Sequence, residues 1–212
     1  MKNVFLATLV ALAAASAFAD RVERREALTI PAAGFERIAI THGVGTLVIE
    51  GDDVADVGVE LEVVCGSFRF NCDEKAKWIE LSHRGHGDTL RIEVEGYPNN
   101  SGGLSVDLVL RVPRRVAVDI ERGVGDTTIR GIEGDVQVEA GVGDVDLEMR
   151  EGGVRSLRIE TGVGGADLRV GGRREGREGG FLFLGNEIDW HGDGASRVDV
   201  EVGVGSVKVA RD

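Results

Sequence analysis

Apolar and polar residues alternate along most of the chain with a period of two. After Gly141 the run DVDLEM sets Val145, Leu147 and Met149 on one face and Asp144, Asp146 and Glu148 on the other. After Gly162 the run GADLRV sets Ala166, Leu168 and Val170 in equivalent places, with Asp167 and Arg169 between them. Val207 and Val209 follow Gly203, Leu47 and Ile49 follow Gly43, and Thr127 and Ile129 follow Gly123 in the same way. Successive side chains of a strand point to opposite faces, so this alternation predicts half-buried β-strands. Past the first twenty residues no stretch carries a helical period. The chain is predicted to be all-β.

The strands are organised by a repeat. The tripeptide GVG begins at Gly43, Gly123, Gly141, Gly162 and Gly203, at intervals of 80, 18, 21 and 41 residues. These lie near multiples of about 20, within the range of a solenoid coil. Weaker marks divide the long intervals: HGD at His86, LSV at Leu104 and LGN at Leu184. Each interval holds two short strands. Between Gly141 and Gly162 these are Asp144 to Met149 and Val154 to Glu160, separated by a turn at Glu151-Gly152-Gly153. The expected architecture is therefore a single stacked β-solenoid over residues 20–212, like a parallel β-helix, with about 20 residues and two short strands per coil. Glycine inside a strand costs about 0.5–1 kcal/mol relative to alanine. Its recurrence predicts that the GVG marks sit at coil corners, stacked along one edge. There φ is positive, or neighbouring backbones approach too closely for a Cβ.

Composition narrows the class. The 212 residues include 32 Gly and 3 Pro, and are 42% hydrophobic and 5% aromatic. That apolar fraction excludes disorder driven by low hydrophobicity, and glycine without a triplet period excludes collagen. A formal net charge of -12 argues against nucleic-acid binding, because phosphate contacts need Lys and Arg. The opening MKNVFLATLVALAAASAFAD reads as a signal peptide over residues 1–19, cut after Ala17-Phe18-Ala19 and before Asp20. Its apolar run is shorter than the about 20 residues of a membrane span. No second run of spanning length follows, so no transmembrane segment is expected and the mature chain should be periplasmic or secreted. Cys65 and Cys72, separated by GSFRFN, fit a structural disulfide in an exported chain. Their spacing is not CxxC and no nearby His completes a zinc set.

The signal peptide, the GVG-D-V-x-L recurrences and the ending GVGSVKV resemble the bacterial toast-rack putative adhesin family, exported β-strand-repeat domains. The resemblance covers most of the mature chain and is best from Arg115 to Asp212. It implies a right-handed stacked β-solenoid without a catalytic centre. The chain departs from a plain repeat at Cys65 to Cys72 and at GGRREGREGG, Gly171 to Gly180.

Candidate chemistry is sparse. Asp126, Asp135, Asp144, Asp146 and Asp167 could suggest a calcium solenoid, but the coil is about twice the nonapeptide length. Turn formation and solvation account for these residues. His42, His83, His86 and His191 form no triad by spacing, although His83 and His86, three apart, are a conceivable metal pair. The mature chain has three Lys, Lys75, Lys77 and Lys208, and no clustered acid/base set for polysaccharide cleavage. Phe181, Phe183 and Trp190 are read as a cap on the core, against an aromatic platform for a sugar. Arg173 to Glu178 reads as a solvated loop. No catalytic residue, metal or cofactor is expected. The reading is a non-enzymatic cell-envelope interaction module whose partner is an envelope protein or surface glycan. Its open ends allow weak self-association. The alternatives are a carbohydrate-active solenoid enzyme or a calcium-dependent adhesion module.

Overall fold

A computed structural model describes residues 21–66, 71–98, 103–150, 152–170, 173–178 and 185–211. The expected leader and its cleavage point lie outside the described residues, as do Phe181, Phe183 and Leu184. In chain order the elements are β1 (Arg21–Pro31), β2 (Arg37–Val44), β3 (Leu47–Asp52), β4 (Asp56–Cys65), α1 (Cys72–Ala76), β5 (Glu80–His86), β6 (Thr89–Glu95) and β7 (Leu104–Pro113). They continue with β8 (Ala117–Val124), β9 (Thr127–Arg130), β10 (Val136–Val142), β11 (Val145–Met149), β12 (Val154–Val170), β13 (Arg173–Glu178), β14 (Asn186–His191) and β15 (Ser196–Arg211). The fold is all-β, with one short helix at the disulfide.

Each GVG tripeptide is a corner at which the chain passes from one wall of a folded sheet to the other. Together with the strands before and after it, it makes a rung. The rungs β2–β3, β8–β9, β10–β11, β15 and β12 pair in parallel along both walls. Equivalent side chains fall in columns. Ile40, Ile120, Val138, Val200 and Ile159 line one wall, and Ile49, Ile129, Leu147, Val209 and Leu168 the other. All ten belong to one buried cluster between the walls. The period-two alternation of the sequence thus becomes an inward apolar face and an outward polar face on every rung.

Three expectations are corrected. A regular solenoid would stack its coils in chain order, but here the rung of Gly203 lies between those of Gly141 and Gly162. The outer side of β12 is occupied by β13 and β14, both antiparallel to it, and β15 pairs on its inner side. The 80-residue interval stacks in this way only in part. Its β6 and β7, which follow the marks at His86 and Leu104, do run parallel to β2 and β3, but β4 runs antiparallel to β1 and β7 and β5 runs antiparallel to β6. Arg173 to Glu178, expected as a loop, is strand β13. Local alternation predicts a strand but does not say which neighbour it takes, and long-range pairing settles that.

The corner explains the glycines. The second glycine of each mark has positive φ: 134° at Gly45, 128° at Gly125, 142° at Gly143, 146° at Gly164 and 151° at Gly205. A Cβ on Gly143 would also lie on the carbonyl oxygen of Gly125 in the next rung. The first glycine has ordinary φ and is required by proximity alone: a Cβ on Gly141 would sit 2.7 Å from the carbonyl oxygen of Gly123. Replacing Gly143 with Ala therefore combines a strained backbone with a backbone collision. It should lower unfolding free energy by about 3 kcal/mol or more, whereas Val142→Thr in the same corner should change it by about 0.5 kcal/mol or less. Urea denaturation of the two variants would check the contrast.

The stack is closed near one end by the bond between Cys65 at the end of β4 and Cys72 at the start of α1, with Cα atoms 5.9 Å apart. Both cysteines are buried in the core. The cysteines are seven positions apart, so replacing both by Ala should cost about 2–3 kcal/mol through the entropy returned to the unfolded chain. A reduced thermal midpoint with unchanged far-ultraviolet circular dichroism is the expected result.

Candidate functional site

The stacked corners form a crease with distinct outer and inner sides. On the outside the middle residues of the GVG marks are register neighbours in the order Val44, Val124, Val142, Val204, Val163. The last four are 44–47% exposed and are most of the large exposed hydrophobics among the described residues. At about 4.8 Å between strands the five together form a valine ridge about 19 Å long. Aspartates run beside it. Asp107 accepts from the Thr46 amide at 3.0 Å, Asp126 from the Asp144 amide at 3.2 Å, and Asp144 from the Ser206 amide at 2.8 Å. The Ser206 hydroxyl also donates to Asp144 at 2.7 Å, and this bond, first among the causes, holds the Asp144 carboxyl below its usual range. The aspartate after a GVG mark thus ties its rung to the next one.

Beneath the crease, the residue before each mark points inward. In three rungs it is Ala140, Val202 or Thr161; in the other two it is His42 and Arg122, which are register partners. His42 Nε2 lies 2.9 Å from the Val106 carbonyl oxygen, which can only accept, so Nε2 carries the proton. Nδ1 has no hydrogen-bond partner among the described residues. Burial, aided by the Arg122 charge, pushes the His42 pKa down to about 4. Arg122 donates to the Asp126 carbonyl at 2.8 Å, to Thr127 Oγ1 at 3.2 Å, to the Val124 carbonyl at 3.3 Å, and to the carbonyl of Gly45. One guanidinium therefore fastens two successive corners. Burial lowers its pKa to about 10, which leaves it charged at neutral pH. The Tyr97 ring lies under Gly43, where a Cβ would come within 2.6 Å of it, and meets His42 edge-on at 6.3 Å. Burial raises the Tyr97 phenol to about 12. Sequence reasoning missed Arg122 and Tyr97. The available signal was a polar residue before only some of the marks, in THGVG, ERGVG and ETGVG.

The outer faces of the two walls differ in charge. On the wall before the crease, Glu121, Glu139, Glu201, Glu160 and Glu187 are successive register neighbours, a row of five carboxylates. Arg158 pairs with Glu160 and with Glu187, the latter at 3.2 Å. On the wall after the crease, Arg111, Glu50, Arg130 and Glu148 alternate in sign along one row, with Arg111–Glu50 and Arg130–Glu148 both at 3.4 Å.

The residues singled out in the sequence are dispersed. Asp126 and Asp144 cap the crease, and Asp135 caps the Arg197 amide at 2.7 Å. Asp146 pairs with Lys208 at 3.8 Å and Asp167 with Arg169 at 3.6 Å. His83 and His86 are three apart on one strand and so face opposite ways; both are exposed. His191 is exposed at the end of β14. Lys77 pairs with Glu74 on α1, 2.7 Å away, beside Lys75. Trp190 packs on the core under the Arg211 guanidinium, 3.8 Å from the ring centre, as the cap reading expects. The exposed tryptophan is Trp78, at 67%. Among the described residues, no three His, Cys, Asp or Glu side chains are grouped to hold a metal, and no helix is long and apolar enough to cross a membrane.

No family model matches the sequence, and no curated protein sequence matches it. Solved structures do. The fold is shared with a putative cell adhesion protein from Clostridium sporogenes. That likeness has a TM-score of 0.55 at 15% identity and covers 89% of this chain and 99% of the other. A putative adhesin from Bacteroides fragilis aligns over 88% of this chain and 97% of its own at 11% identity, with a TM-score of 0.27, too low to bear on the fold. The adhesion-protein likeness agrees with the resemblance carried by the GVG marks.

The buried imidazole predicts a pH dependence. A His whose folded pKa is about 4 against 6.5 unfolded stabilises the fold fully above pH 6.5. That contribution declines as pH falls toward 4, by about 3 kcal/mol in total. Relative to His42→Gln, the parent protein should lose about that much more unfolding free energy between pH 6.5 and 4. Parallel stability curves for the two proteins would refute the assignment.

Proposed function

We propose that this chain is a non-enzymatic, adhesin-like interaction module of the cell envelope, working in the periplasm or outside the cell. The observation that carries the reading is the in-register stacking itself. It holds exposed side chains in straight rows on a two-walled scaffold, a surface suited to contact over an area rather than to chemistry at a point. The fold likeness to a putative cell adhesion protein supports it, and the Cys65–Cys72 disulfide suits an oxidising compartment. We read the GVG rungs as a short β-solenoid interrupted by antiparallel strands. The partner is an envelope protein or a surface glycan. A polyanion is disfavoured by the row of glutamates. The outermost strands, β1 and β5 at one end and β13 and β14 at the other, have one edge without a strand partner among the described residues, which suits weak self-association.

Incubating the mature chain with isolated envelope fractions, with and without a chelator, tests this function. Saturable retention unaffected by chelator is expected. Loss of retention in chelator would replace the reading with calcium-dependent adhesion. Release of reducing sugar from envelope polysaccharide would replace it with an enzyme.

A further inference from the structure

Gly58 is a glycine that the fold itself does not require. It lies inside β4, a strand paired on both sides, with Thr29 of β1 and Arg111 of β7 as register partners. Its φ is not positive, and a Cβ there would meet only the Arg111 Cβ, at an ordinary contact distance of 3.8 Å. The corner glycines, by contrast, stand hard against neighbouring backbone. Glycine weakens a strand interior, where it often marks a bulge, a tight bend or a site at which a ligand or another backbone approaches closely; β4 keeps its register through Gly58, which excludes the bulge.

The bare position opens a cavity. Alternation puts Asp56, Gly58 and Glu60 on the outer face of β4. Over them lies a groove of about 330 Å³, at the lower end of the about 300–1,000 Å³ typical of small-molecule sites. Gly58 and Val109 line it. Thr29, Asp56, Glu60 and Arg111 line it too, and can offer a hydroxyl, two carboxylates and a guanidinium. Asp56 and Glu60 form no ion pair among the described residues, while Arg111 is held by Glu50 on β3, on the far side of β7.

We propose that this groove binds a neutral oligosaccharide, with a sugar ring lying flat over Gly58. A cation would meet Arg111 and an anion would meet two carboxylates. A neutral polyhydroxyl suits both, because its hydroxyls donate to the carboxylates and accept from the guanidinium. The C–H face of the ring covers the bare floor, a contact that any side chain at position 58 would block. The site gives the envelope-binding reading a ligand class and rests on it.

The test uses Gly58→Thr. Threonine favours strands and has open space here, so the variant should melt at or above the parent temperature. Amide spectra of the labelled parent protein would be followed while cellobiose, maltose, lactose or diacetylchitobiose is added. At least one disaccharide should give saturable shifts centred on Val57 to Glu60 and Leu108 to Arg111, and Gly58→Thr should weaken it at least tenfold. No saturable shift with any of the four, shifts centred elsewhere, unchanged affinity in Gly58→Thr, or a lowered melting temperature would each overturn the proposal. Envelope retention of the same pair separates the two readings. Equal retention of parent and variant removes the groove and leaves the module standing, whereas absent retention of the parent removes the module.

Discussion

At the crease, backbone crosses backbone with no room for a Cβ, and the register of the stacked rungs follows from that contact. The second glycine of one corner lies against the carbonyl oxygen of the corner beside it, from Gly45 through Gly125, Gly143 and Gly205 to Gly164. Once these contacts set the register, each inward position meets its equivalent in the adjacent rung. The columns of Val, Ile and Leu between the walls are the direct product. A slip of one residue would turn every apolar column outward, so the corner and the core enforce the same register.

The same constraint orders the surface. Outward positions are also in register, and repeated sequence therefore becomes repeated surface chemistry. On one wall this places glutamate beside glutamate from Glu121 to Glu187, and on the other it places Arg111, Glu50, Arg130 and Glu148 in alternation. Like charges directly opposite in a sheet oppose pairing, while opposite charges favour it. The first wall thus carries a row of one charge and the second a row of alternating charge. The crease carries a third kind of row, half-exposed valines flanked by aspartates whose carboxylates cap the amides of adjacent rungs.

Much of this was legible in the chain. The period-two runs marked the strands, and the positions after GVG marked the inward columns, Val145 with Ala166 and Val207 among them. The corner role of GVG followed from the cost of glycine in a strand. The spacing and predicted export of Cys65 and Cys72 pointed to the disulfide. Three things were not legible. The pairing of β15 inside β12 goes with the cover of β12's other side by β13 and β14, a long-range arrangement. Strand β4, antiparallel to both of its neighbours, has the same alternation as the parallel strands. The cluster of His42, Arg122 and Tyr97 joins residues from three distant stretches of chain.

Sequence by itself determined the strands, the faces they bury, the corners and the disulfide, because each depends on chemistry within a few residues: alternation, glycine conformation and short loop closure. Tertiary structure alone decided the order of the rungs, the charge difference between the walls, the buried imidazole and guanidinium, and the vacancy over Gly58. Those depend on which segments become neighbours, and a periodic pattern compatible with many pairings does not specify one.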